Sequence, residues 1–454
     1  MRRFQSFGGA PPPASGDSPV KRLAPLLAAC ALLAGCGDTA RLHLGQSTGP
    51  APQLPPPVRT LIPTIHVADA ESWPAGMTPT AAPGLEVRAF ATGLDHPRWL
   101  LSLPNGDVLV AETAAPPPDP AHEDHSIKGY FFRLFQRKAG SAVPSANRIT
   151  LLRDADGDGV AEVRTPYLTG LSSPFGMAVV GDTLYVANAD ALVAFPYDPA
   201  ATGITAAPRT ITPLPAQRNH HWTKSLAAGP DGRLYVGVGS NSNVAEHGMD
   251  EEVGRAAIWS IDPASGSHSI FASGLRNPVG IAFAPGGGDL YVVVNERDEL
   301  GSDLVPDYLT RVQPGAFYGW PWSYYGPHVD SRPRPRRPDM VARAIAPDYA
   351  LGPHVAALGL TFSNGQRLGP AFASGVFIGE HGSWNRRPFS GYKVVFVPFV
   401  DGRPSGQPID ILTGFLDDRN NAMGRPVGVQ IARDGALLVA DDVGNTIWRV
   451  NAAR

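Results

Sequence analysis

The chain has 454 residues, 43% of them hydrophobic, and a formal net charge of -3. That length holds one large domain or two ordinary ones, and the near-balanced charge argues against a dedicated nucleic-acid binder. With 50 glycines and 47 prolines the composition suits an all-β chain with many turns rather than a helical one.

The first element is a leader. Lys21-Arg22 precedes a short apolar run, 23–33, which ends in Leu33-Ala34-Gly35-Cys36. A basic region, a short apolar core and small residues before the cut describe a secretory signal, and the run is too short to span a bilayer permanently. Leu-Ala-Gly-Cys resembles the bacterial lipobox. It implies cleavage before Cys36, a lipid on its thiol and a periplasm-facing chain in the cell envelope; an ordinary signal peptide is the alternative. Residues before Val20 fit a leader poorly, so the start is expected near Val20. Both cysteines fall in the leader, leaving the processed chain without a disulfide or a covalent haem site. Residues 37–84 are rich in Pro, Ala and Thr and read as a tether.

From Leu94 onward one device recurs six times. A first strand opens near a Pro or Gly, at 96–100, 173–177, 220–224, 276–280, 356–360 and 424–428. A turn and a β-rich strand follow, in GDVLVAET, GDTLYVANAD, DGRLYVGVGS, GDLYVVVNERDE, SGVFIGEHGSWN and DGALLVADDVGN. Six stacked supersecondary units predict an all-β six-bladed β-propeller of four-stranded antiparallel blades over residues 85–454. In each copy the start of the first strand and the end of the second share one sheet edge. That edge should form one mouth of the ring. His220, His221, Asn241, Arg276, Asn277, Glu296, Arg297, Asp298, Glu380, His381, Arg386 and Arg425 are expected to converge there.

Arg98, Arg276, Arg297, Arg386 and Arg425 at one mouth repel one another unless anions neutralise them. Glu112, Glu296, Asp298, Glu380 and Asp441 are internal candidates; a polyanionic ligand is the other, because the guanidinium fork suits carboxylates. His221 is the candidate general base, pointing inward, with His220 pointing away under strand alternation. The aromatic run PGAFYGWPWSYYG within 308–349 is expected to line or lid a pocket, and the basic run SRPRPRRPD after it reads as a solvated loop. Asp154-Ala155-Asp156-Gly157-Asp158-Gly159 opens like a calcium loop, but Thr165 stands where its bidentate Glu belongs. It reads equally as an acidic turn, off the mouth.

The ordered motifs HWTKSL, VGSNSN, GLRNPVG, VNERDELGSDLVPDYL, FYGWPW, GEHGSWNR and GRPVGV…LLVADDVGNTIWRV resemble the L-sorbosone dehydrogenase and soluble aldose sugar dehydrogenase group, from about Leu94 to the C-terminus. The resemblance implies a propeller enzyme that uses pyrroloquinoline quinone (PQQ) and calcium to oxidise an aldose or a ketoaldose. It implies His221 as the base that takes the sugar hydroxyl proton, and Asn243, Arg386 and Arg425 at the cofactor; Arg276, Asn277, Arg297 and Arg98, from the rim, are expected to bind it with them. It implies calcium on the backbone carbonyls of Asp298 and Glu299. Ser242 and Met423 stand where the soluble glucose enzymes carry basic residues. With no fused cytochrome, a separate cytochrome or quinone acceptor is expected. The rival readings are a calcium-dependent propeller hydrolase such as a lactonase, and a non-catalytic lipoprotein that binds a glycan or a protein.

Overall fold

The computed structural model describes residues 37–60, 63–122 and 126–453; Cys36 and the leader lie outside them. Six antiparallel four-stranded sheets form the ring, in the number and pairing that the repeated device predicts. Five blades are contiguous in sequence, with their inner strands at Pro97–Ser102, Gly176–Val180, Lys224–Ala228, Asn277–Phe283 and Ala357–Phe362. The sixth runs outward from Pro426–Ile431 through Leu437–Asp441 and Thr446–Ala452, and its outer strand is the N-terminal Leu85–Ala91. The two ends of the propeller domain thus lie in one sheet and close the ring.

The blades meet at the centre by backbone contact. A Cβ at Gly176 would strike Leu226 of the next blade, one at Gly280 would strike Leu358 and Leu360, one at Gly359 Val427, and one at Gly428 the Arg98–Trp99 backbone. Only glycine permits that approach. This is the physical content of the Gly that recurs in SPFGM, RNPVG, AALGL and GRPVG. Around it, hydrophobic side chains from adjacent blades interleave, as with Trp99, Phe175, Val279, Leu358 and Val427 in one cluster.

The register places the rim as expected. Lys224 pairs with Val238, Asn277 with Asn295, Ala357 with Glu380, and Pro426 with Asp441. Each pair joins the start of a first strand to the end of a second, so the residues just outside them share one face. The acidic turn sits on the opposite face, between Arg148–Arg153 and Val163–Leu168. Its carboxylates, Asp154, Asp156, Asp158 and Glu162, lie within 4.8 Å of one another, and each accepts backbone N–H groups of the turn itself.

The tether expected at 37–84 is instead a strap packed on the propeller. Asp38 bonds the backbone and hydroxyl of Ser302, Val58 N–H donates to Leu300 O, and His66 N–H donates to Trp384 O. The His66 ring stacks on Phe389 at 3.8 Å. Thr80–Ala81 adds a strand to the fifth blade. Trp73 anchors the strap. Its indole N–H donates to the buried Asp441 carboxylate at 2.7 Å, and its ring packs edge-on against Phe415 and Trp448. The composition is that of a segment unable to fold alone; here the propeller provides the surface it buries against. Truncation of Trp73 to Ala is therefore expected to cost about 3 kcal/mol of stability, read as a lower unfolding midpoint, and to open 64–84 to limited proteolysis. A true tether would show neither change.

Candidate active site

A cavity of about 290 Å³ opens at the mouth. His220, His221, Arg276, Asn277, Asp298 and His381 are among the residues lining it, with Arg425, His354, Asn385 and Trp384 across from them and Val67 from the strap. The helix Ile127–Lys138, inserted between the second and third strands of the first blade, adds Phe135 and Gln136 to the rim.

His221 sits in the loop before Lys224–Ala228, and its Nδ1 lies 2.7 Å from Ser240 O. A carbonyl only accepts, so Nδ1 carries the proton and Nε2 presents a lone pair. The Ser240 hydroxyl, 3.1 Å from the same nitrogen, gives its own proton to Ser242 O and so accepts as well. Burial, then the Arg276 guanidinium and His220, hold the imidazole well below its ordinary value, which keeps it neutral near pH 7. Gly239 makes room for it, because a Cβ there would run into both His221 and Asn277. His220 also lines the cavity, edge-on to His221 at 4.7 Å. It does not point away as expected: both histidines precede the strand, where alternation does not apply.

Arg276 is a hub. It donates to Asn243 O, Asn243 Oδ1, Glu296 O and the Asp298 carboxylate, so its donors are taken while its charge still faces the cavity. Asn243 does not line the cavity; it braces Arg276 from behind and bonds the Asp298 backbone on both sides. Trp320 donates to Asn243 O at 2.9 Å. The aromatic run therefore supports the site from outside, where it was expected to line or lid a pocket. The run after it is not merely solvated either, since Arg332 reaches in to Asp330 and Asp298 O.

Three more expected cofactor arginines are spoken for by protein. Arg297 is fully buried and bonds Glu296, Asp330, Pro321 O and Ser323 O. Arg386 bonds Ser302 O and Pro388 O, away from the cavity. Arg98 donates to Asp442 at 2.6 Å. Asp442 also binds His381 Nε2 at 3.0 Å and lies 3.5 Å from His96 Nε2. Burial alone would raise the Asp442 carboxyl; His381, His96 and Arg98 together outweigh that and hold it far below the usual carboxylate range. Burial pushes His381 down to about 4, so near pH 7 it is neutral, donates Nε2–H to Asp442 and keeps Nδ1 as an acceptor.

Of the two carbonyls expected to hold calcium, that of Asp298 is already taken by protein donors. Asp298 O already accepts from Arg332 at 2.8 Å and Asn243 at 3.3 Å, which uses both lone pairs. The Asp298 side chain faces the cavity instead, bonded to Asn385 Nδ2 at 2.7 Å and 3.7 Å from His354 Nδ1. Burial works against both charges, but their mutual attraction raises the His354 imidazole and lowers the Asp298 carboxyl.

The groups left unpaired define what the cavity accepts. Arg425 Nε and Nη2 are buried donors without a partner, and Asn277 Oδ1, Glu296 Oε1 and Asn385 Oδ1 are buried acceptors without one. Such groups are costly unless a ligand meets them. Arg425, stacked on Tyr392 at 4.9 Å, suits a ligand carboxylate; the three oxygens suit a hard cation or hydroxyl donors. This donor set fits a polycarboxylate cofactor with a divalent ion, and of the arginines expected to meet it Arg425 is the one with unmet donors in the cavity wall. His354 and Asn385 were missed, yet His354 stands three residues before Ala357–Phe362, as His221 stands before Lys224–Ala228.

Two substitutions separate scaffold from site. Arg297→Met should cost about 3–5 kcal/mol of stability by taking from Glu296 its buried guanidinium partner and from Asp330 one of two. Gly239→Ala should keep the fold but displace His221, lowering turnover about 100-fold. Thermal melts and steady-state rates check the pair.

Comparison with known proteins gives a consistent picture. A 33% identical protein of Borreliella burgdorferi, itself uncharacterised, matches over 221 residues, covering 48% of this chain and 57% of its own. A pyrroloquinoline quinone-dependent pyranose dehydrogenase of Coprinopsis cinerea is 24% identical, with 59% of this chain and 44% of the relative covered. The chain thus spans about half the length of the curated relatives it matches. The solved holo form of the pyranose dehydrogenase PQQ domain from Coprinopsis cinerea superposes with a TM-score of 0.66 at 21% identity, over 85% of this chain and 100% of that one. The calcium structure of the Trichoderma reesei family AA12 enzyme gives 0.67 at 19% identity, over 86% and 99%. The TrAA12-like family model matches residues 147–315 and 337–453. On that match, which takes in four whole blades, three strands of the sixth, and His221, Arg276 and Arg425, the chain belongs to the TrAA12-like family.

Proposed function

We propose that this chain is a PQQ-dependent sugar dehydrogenase, oxidising the anomeric carbon of an aldose or ketoaldose, sorbosone-like sugars included. The observation that carries the reading is the locked His221 tautomer in the same cavity as the unpaired Arg425 guanidinium. A base of fixed orientation beside a socket for a carboxylate suits hydroxyl oxidation better than hydrolysis. The family match and the named activity of the Coprinopsis relative support it.

PQQ, when bound, supplies the two-electron acceptor for the sugar's hydride. Arg425 binds one of its carboxylates, and the Arg276 charge favours the anion from the cavity wall. His381 Nδ1 offers an acceptor to cofactor or substrate. Asn277, Glu296 and Asn385 offer calcium its oxygens. His221 Nε2 takes the hydroxyl proton, and Nδ1–H bonded to Ser240 O stabilises the imidazolium that forms. The lipobox reading completes the proposal: a lipid on Cys36 holds the enzyme at the cell envelope, facing the periplasm, with a separate electron acceptor.

The tests follow. His221→Ala should lower PQQ-dependent reduction of an artificial dye by about 10²–10⁴-fold while PQQ still binds. Equal rates in variant and parent would end the assignment. Because His221 is held below its ordinary 6.5, the base survives until pH falls through that lowered value. The acid limb of kcat/KM should therefore lie below 6.5. Arg276→Gln removes a charge that opposes imidazolium, so in a pH–rate profile the limb should move up toward that value.

A further inference from the structure

The helix Ile127–Lys138 turns its inner side, with Phe135 and Gln136, to the cavity. At 3.6 residues per turn its other side carries Tyr130, Leu134 and Lys138 in line, with Phe131 and Arg137 beside them. Tyr130, Phe131 and Leu134 are 56%, 48% and 40% exposed. Its twelve residues hold four basic side chains and no acidic one. Lys138 lies 3.5 Å from Asp69, itself half-exposed; Glu123 and Asp124, just before the helix, lie outside the described residues. Large apolar groups mixed with cations on one outward arc are what a helix in a lipid headgroup layer presents. The packing of the propeller does not account for them.

A second observation concerns where the chain arrives. Asp38 is bonded to Ser302, and Ala40 N–H donates to Arg387 O. Ser302 and Arg387 lie in the loops that follow the second strands Leu290–Asn295 and Gly375–Glu380, which is the mouth side of those blades. The strap then crosses this face, and Ala70 N–H donates to Lys138 O at the end of the helix. The described chain thus begins, at Gly37 and Asp38, on the mouth face, the face that also bears the exposed helix.

We propose that the mouth face rests on a bilayer of anionic phospholipid, with Tyr130, Phe131 and Leu134 in the headgroup layer and the cavity opening toward the membrane. The inference rests on the lipid-anchor reading for attachment and on the helix for orientation. Each sugar oxidised releases two electrons and two protons. In this orientation both pairs emerge beside the bilayer, where a lipid-soluble quinone takes them up as quinol.

The test uses the processed full chain, with mass spectrometry of its N-terminus reporting independently whether Cys36 bears lipid. An environment-sensitive fluorophore is placed at Phe131→Cys, and in a second protein at Ala264→Cys on the opposite face. Both are bound to phosphatidylcholine–phosphatidylglycerol vesicles carrying a headgroup nitroxide. Quenching at 131 and none at 264 is expected. Vesicle-bound protein with equal responses, or with quenching at 264 alone, overturns the orientation while leaving the anchor intact. A chain that carries no lipid and stays off the vesicles defeats anchor and orientation together. In parallel, Phe131→Glu with Leu134→Glu should keep turnover with a soluble dye and lose about tenfold with a vesicle-embedded quinone, because the face no longer seats. Equal loss with both acceptors, or with neither, contradicts the proposal.

Discussion

The structure depends on the close approach of blades at the centre of the ring. Gly176, Gly280, Gly359 and Gly428 let four of the six inner strands lie against the backbone of the next. Any larger residue would force the blades apart and widen the ring. That contact fixes the rotation between blades, and so fixes which loop ends face one another across the mouth. His221 before a first strand, His381 and Asp442 after second strands, and Arg425 before another meet because of it. The chemistry sits on loops, but their anchor points cannot move.

Electrostatics then sorts the residues the ring has gathered. A buried guanidinium must be paired or bound, since desolvation costs several kcal/mol. The protein pairs Arg297 and Arg386 and ties Arg98 to Asp442 through one nitrogen, and it saturates Arg276 without hiding its charge from the cavity. Arg425 is left with two unmet donors in the cavity wall. Opposite in sign, the unpaired oxygens of Asn277, Glu296 and Asn385 mark where a cation or hydroxyl donor is wanted. A site with both an anion socket and cation oxygens is suited to a ligand that carries both kinds of partner.

Most of the fold was legible in the sequence, because it rests on local signals. The turn after each first strand and the Gly-bearing opening of four of the six copies are short patterns, and the register they imply is the register found. The identity of the mouth followed from that geometry. What a charged side chain does there was not legible, since its partners lie far along the chain, in later loops of the same blade or in another blade. Arg297 meets Asp330, 33 residues on, and Arg98 meets Asp442 across the closure of the ring. The strap was missed for a related reason: a Pro-rich segment looks unfolded until the surface that receives it is known. His354 was within reach, because it occupies the same place in its blade as His221. The His220 error came from applying strand alternation to a loop.

The measurement that tests the account most directly is a titration of the purified, cofactor-free protein with PQQ, with and without calcium, in the parent and in Arg425→Met. The account predicts saturable binding that calcium strengthens. It also predicts a loss of about 10–100-fold in Arg425→Met, the scale of one charge-assisted contact. Binding that is absent in the parent, or unchanged by the loss of Arg425, would contradict the claim that the mouth of this propeller is a quinone-cofactor site.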